Sequence, residues 1–143
     1  MNLNKKQLSK ILNIEDPFLI IDNVINIIPF KSGTGIKKIK KNEWFFKCHL
    51  INNPLMPGTL QTEAMLQSII SVINFGKKHS LFLVTKSQTS FYSKINTSGI
   101  MNVDVVILRS NKGILEAKST IYFNKKKTAQ GKFNFIKPGI FKK

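Results

Sequence analysis

TLQTEAMLQSIISVINF, residues 59–75, contains neither proline nor glycine, and its reading decides how the rest of the chain must fold. Leu60, Ala64, Met65, Ile69, Ile70, Val72 and Ile73 spread over much of a helical circumference. A helix that is apolar on most sides is buried rather than laid on a surface. Gly76 supplies a stop, and Lys77 and Lys78 follow where cations suit the end of a helix. A lone buried helix needs a sheet around it, and the flanking sequence offers one. Downstream, LFLVTKSQTSFYSK, IMNVDVVILRSN, GILEAKSTIYFN and GKFNFIK read as strands. Breaks at residues 111–113 and 125–130 read as hairpin turns. Upstream, Leu3, Leu8, Ile11 and Leu12 predict a short amphipathic helix over residues 3–12. DPFLIIDNVINIIPF (16–30) reads as a loop entering a strand, and GTGIKKIKKNEWFFKCHL (33–50) as further strand. INNPLMPG (51–58) is irregular, because Pro54 and Pro57 break any ladder. The expected fold is α+β: a curved antiparallel sheet enclosing a long central helix, in one domain spanning residues 1–143 with its core at about 12–136.

Composition narrows the function classes. At 143 residues the chain can bury a real core, and its 42% hydrophobic fraction is ordinary for a globular protein. No apolar run reaches the roughly 20 residues that cross a bilayer, so no membrane insertion is expected. The N-terminal residues show no signal-peptide pattern, and a single cysteine, Cys48, suits a reducing cytoplasm. Lys and Arg total 23 against 7 acids, a net charge of +16, and Arg109 is the sole arginine. Two readings stay open: a lysine-rich solvated surface, or attraction to an acidic partner, either nucleic acid or a carrier protein. The Lys125-Lys126-Lys127 cluster reads as a hairpin turn rather than a binding patch. There is no helix-turn-helix pattern, RNA-binding aromatic motif or zinc spacing, so no nucleic-acid partner is expected.

Glu63 is the one acid between Glu43 and Asp104, and it sits in the helix that should be most buried. Burial disfavours its charge and raises its pKa, and a neutral carboxylic acid in an apolar pocket is a good proton donor. The alternative is that Glu63 supports the first helical turn through the dipole, or emerges at the surface. His49, fourteen residues earlier, ends a strand-like segment; it is a candidate base or a structural histidine. His79 reads as an ordinary loop residue. Cys48 makes a poor nucleophile for His49, since neighbours on a strand point to opposite faces. Gly58 would present a bare N–H at the helix N-terminus, able to hold a carbonyl oxygen that becomes oxyanionic. Base, acid and oxyanion donor within one short segment suit proton abstraction beside a thioester carbonyl with loss of a leaving group.

The run from His49 to Gln67, HLINNPLMPGTLQTEAMLQ, resembles the signature H-F-P-G-x-P-x-M-P-G-V-L-x-x-E-A-M-A-Q of FabZ-type 3-hydroxyacyl-(acyl carrier protein) dehydratases. The MPG and EAM elements are intact and correctly spaced from the histidine, and DPFLIIDNV looks like the family's YPFLLVDRV. The order of elements is similar from about residue 12 to 135. The resemblance implies a hot-dog fold, with His49 as the base, Glu63 as the acid and Gly58 as the backbone donor. It places the histidine and the carboxylate of one site on two subunits of a homodimer, which could be part of a trimer of dimers. The implied reaction is dehydration of a (3R)-hydroxyacyl thioester, carried on an acidic acyl carrier protein, to the trans-2-enoyl thioester. It needs no metal or redox cofactor. Phe45, Phe46, Leu60, Met65 and Phe91 are candidates for an apolar substrate tunnel, or equally for plain core. The chain departs from the pattern at Cys48, where the family has glycine, and at Leu50-Ile51-Asn52, where it has Phe-Pro-Gly. KINTSGI also replaces a later P-x-x-P-G-D-like turn. These changes leave open a hot-dog thioesterase or a non-catalytic acyl-binding relative.

Overall fold

The computed structural model describes residues 1–75 and 81–138. Helix α1 (Lys5–Leu12) is followed by β1 (Asn23–Ile28), β2 (Ser32–Ile39), the short α2 (Trp44–Cys48) and the long α3 (Gly58–Ile73). Strands β3 (Leu83–Phe91), β4 (Gly99–Asn111), β5 (Ile114–Phe123) and β6 (Lys126–Ile136) complete the fold. All six strands form one antiparallel sheet in the order β1-β2-β4-β5-β6-β3, and α3 packs across one face of it.

Strict alternation builds the inner face. Leu115, Ala117, Ser119, Ile121 and Phe123 of β5 are buried, while their neighbours lie partly or fully open. Met101, Val103 and Val105 of β4 and Phe133 and Phe135 of β6 continue that face under α3. Met65, Ile69, Val72 and Ile73 cover it from the helix side. β2 carries glycine where α3 crosses it. A Cβ on Gly33 would lie 2.8 Å from the Val72 side chain, and one on Gly35 would overlap Ser68 Oγ. Ser68 and Ser71 are wholly buried but satisfied, each donating to the carbonyl four residues back.

Several boundaries differ from the expectation. α1 begins at Lys5 rather than residue 3, because Asn4 caps it: its side chain accepts from Gln7 N–H, and Gln7 returns the bond. Leu3 instead bonds to Val24 as a bridge beside β1. Residues 44–48 are helix, not strand. Phe45 and Phe46 are adjacent and both buried, which a strand in a sheet with one open face cannot achieve and a helix can. Glu43, just before α2, is held by Lys40 N–H (3.0 Å) and by the buried Lys37 ammonium (3.7 Å). The last turn is only Asn124-Lys125, both with positive φ, so β6 starts at Lys126 and takes in Lys127 and residues 128–130. The turn at Lys112-Gly113 lies where expected. α3 ends at Ile73, where Asn74 N–H bonds to Ile70 O (2.9 Å). Gly76, Lys77, Lys78 and His79 lie outside the described residues.

Candidate active site

Glu63 lies in the second turn of α3, half-buried, on the wall of a cleft of about 210 Å³. Leu12, Ile14, Leu66, Ile70, Val84 and Phe135 form much of the remaining wall. Burial pushes the Glu63 pKa above the ordinary value, and a hydrogen bond donated by Gln67 Nε2 to Oε2 (3.1 Å) partly opposes that shift.

His49 terminates α2. Its Nδ1 lies 3.0 Å from Leu55 O. A carbonyl oxygen only accepts, so Nδ1 carries a proton, and in the neutral tautomer this leaves the lone pair on Nε2. Leu50 follows in the left-handed region (φ 52°), so the chain reverses immediately after the histidine. Cys48 Sγ turns back to Trp44 O (3.3 Å) within α2. The cysteine is thus set apart from His49 by helix geometry and not by strand alternation.

Gly58 opens α3, and its N–H is one of the donors that no intrahelical carbonyl reaches. The Phe91 ring stands directly over it: a Cβ at Gly58 would come within 2.9 Å of Phe91 Cζ. Gly58 and Phe91 share a cleft of about 470 Å³ with Leu55, Met56, Gln61 and Lys94.

Gly58 and Glu63 are five residues apart on one helix, about 140° apart around its axis at 3.6 residues per turn. They accordingly open into different clefts. Neither His49 nor Glu63 bonds to the other; their side-chain partners are Leu55 and Gln67. Of the five tunnel candidates, Phe45, Phe46 and Met65 lie in the core, Leu60 is half-buried against it, and Phe91 is exposed beside Gly58. Sequence reasoning placed Leu12 and Ile70 in amphipathic or core helix. Their position beside Glu63 depends on how α1 and β3 close around α3, which periodicity does not encode. Among the described residues no group of three or more His, Cys, Asp or Glu could hold a metal ion.

A family model described as FabA-like domain matches residues 13–132, which covers α3, with Gly58 and Glu63, and most of the sheet. The chain belongs to the FabA-like family. Its curated relatives place it on the FabZ-type branch. It is 34% identical to the 3-hydroxyacyl-(acyl-carrier-protein) dehydratase FabZ of Thermoanaerobacter pseudethanolicus, covering 94% of this chain and 96% of that one. It is 35% identical to the FabZ of Buchnera aphidicola, covering 97% and 95%. Among solved structures, the dehydratase heterocomplex ApeI:P from Xenorhabdus doucetiae superposes with a TM-score of 0.75 at 14% identity, over 92% of this chain and 91% of that one. The HP0420 homologue from Helicobacter felis gives 0.72 at 14%, over 96% and 92%. Both likenesses support the fold, and with the sheet packed on α3 they make this FabZ-type chain a hot-dog protein.

Proposed function

We propose that this chain, acting as one hot-dog domain, removes water from a (3R)-hydroxyacyl thioester carried on an acyl carrier protein, giving the trans-2-enoyl thioester in fatty-acid biosynthesis. The observation that carries the reading is the half-buried Glu63, held toward its neutral form at the wall of an apolar cleft. His49 Nε2 removes the α-proton. The Gly58 N–H and the α3 dipole stabilise charge on the thioester oxygen. Protonated Glu63 donates to the departing β-hydroxyl, so the proton and the hydroxyl leave together as water. The cleft of Leu12, Ile14 and Ile70 receives apolar chain beyond the reacting carbons.

The active form is a homodimer in which His49 and Gly58 of one subunit meet Glu63 of the other. Opposed directions of Gly58 and Glu63 on α3 support this. So does the sheet: bonds from Leu3 and Met1 cover the β1 edge, whereas β3 is an edge strand with exposed Leu83, Val84 and Phe91. Exposed Leu50 and Ile51 beside His49 add apolar surface for a second copy to cover. The acidic carrier protein docks on the lysine-rich surface, where Lys94 borders the cleft of Gly58. A cytoplasmic location fits this role, and no described helix is long and apolar enough to cross a membrane.

Mass spectrometry of a 3-hydroxyacyl carrier protein tests the reaction. The wild type should remove the mass of water, and His49→Ala and Glu63→Gln should each lose about 10²–10⁴-fold in rate. A folded, dimeric wild type that leaves substrates of several chain lengths unchanged would overturn the assignment.

A further inference from the structure

Gln61 is only 3% exposed, yet its carboxamide is half engaged. Thr128 Oγ1 turns its proton toward Gln61 Oε1 (3.4 Å), with Ile121 O as a second acceptor (3.5 Å). Gln61 Nε2 has no acceptor among the described residues, and no described side-chain nitrogen is sealed from solvent without a partner. Nε2 therefore reaches open space. The cleft that Gln61 lines is the one shared by Gly58 and Phe91, not the one of Glu63. Helix geometry explains the aim. Gln61 lies three positions after Gly58, on the same face of α3, and helical side chains lean toward the N-terminus of their helix.

We propose that Gln61 is a further catalytic residue: its Nε2 donates a second hydrogen bond to the thioester oxygen, beside the Gly58 N–H. When His49 Nε2 takes the α-proton, the electron pair of the broken C–H bond moves onto that oxygen. The pair flows back as the α–β double bond forms and the β C–O bond breaks, with Glu63 protonating the departing oxygen. The charge on the thioester oxygen is transient, and donors oriented in advance stabilise it without reorganising. Gln61 is oriented in this way, because Oε1 ties it to β6 through Thr128. An amide that served only to join α3 to β6 would need Oε1 alone. A buried donor without an acceptor is unfavourable unless a ligand supplies one. This inference deepens the dehydratase reading and rests on it for the charge that develops.

Two readouts test it. The first uses ¹⁵N-labelled wild type and requires no variant to fold; the chain has five glutamines to assign. Butyryl-N-acetylcysteamine lacks the β-hydroxyl and cannot be dehydrated, and its thioether analogue also lacks the carbonyl oxygen. With each added until the Gly58 amide signal stops moving, the Gln61 side-chain amide should shift with the thioester and not with the thioether. The second readout is kinetic. Gln61→Leu should lower kcat by about 10²–10³-fold, the scale of losing one oxyanion donor, with KM little changed. Exchange of the substrate α-proton with deuterated solvent should slow in parallel. A Gln61 signal that answers both compounds equally or neither, or a folded Gln61→Leu enzyme with wild-type kcat or a change in KM alone, would overturn the proposal. A wild type that dehydrates nothing but shows the thioester-specific shift would instead overturn the reaction assignment while supporting Gln61 as a carbonyl donor.

Discussion

Glu63 is stabilised as a neutral acid because water is partly withheld from its carboxyl, and the same fact makes it a liability to folding. Its folded-state pKa lies above the ordinary 4.5. A raised pKa means that the folded state holds the proton more tightly than the unfolded chain does. Relative stability is therefore full below the unfolded value and is lost as pH rises through the folded one. Glu63→Gln should match the wild type in acid and become progressively more stable than it as pH rises above 4.5, reaching a plateau once Glu63 is ionised in both states. Urea melts at a series of pH values check this; a stability difference independent of pH would show that burial does not govern the carboxyl. Glu63 was legible from sequence because an acid inside an apolar helical run has few explanations. The hydrogen bonds of Gln67 were not, since its partners Phe18 and Ile20 come from a distant loop.

At the scale of the element, α3 is set by how closely β2 lets it approach. Gly33 and Gly35 lack the Cβ atoms that would strike Val72 and Ser68. Gly35→Ala should cost about 1–3 kcal/mol, the usual price of overfilling a packed core. Combining it with Ser68→Ala should recover part of that loss, because Ser68 Oγ is the nearest atom met. Chemical denaturation of the single and double variants measures the coupling; strictly additive losses would place the strain elsewhere. Helix α3 could be read from its own residues, since seventeen positions without glycine or proline carry an apolar pattern too broad for a surface helix. Helix α2 could not. Its five residues are too few to display a helical period, and aromatic neighbours raise strand propensity. The consequence reaches the site: His49 caps a helix rather than extending a strand, and the helix is held at its start by Glu43 and Lys37.

For the whole molecule, an antiparallel sheet packed on one long helix followed from a buried helix flanked by strand-like runs, but no periodicity reveals the strand order or that Gly58 and Glu63 open into separate clefts. That separation makes a site built from two subunits the central claim. It is tested most directly by mixing two inactive variants, His49→Ala and Glu63→Gln, through joint unfolding and refolding, and assaying dehydration. In a mixed dimer, one site combines the intact His49 of one subunit with the intact Glu63 of the other, and the second site lacks both. Random pairing should restore about a quarter of wild-type activity. Mixtures as inactive as their components, with exchange verified by mass spectrometry, would contradict a site shared between subunits.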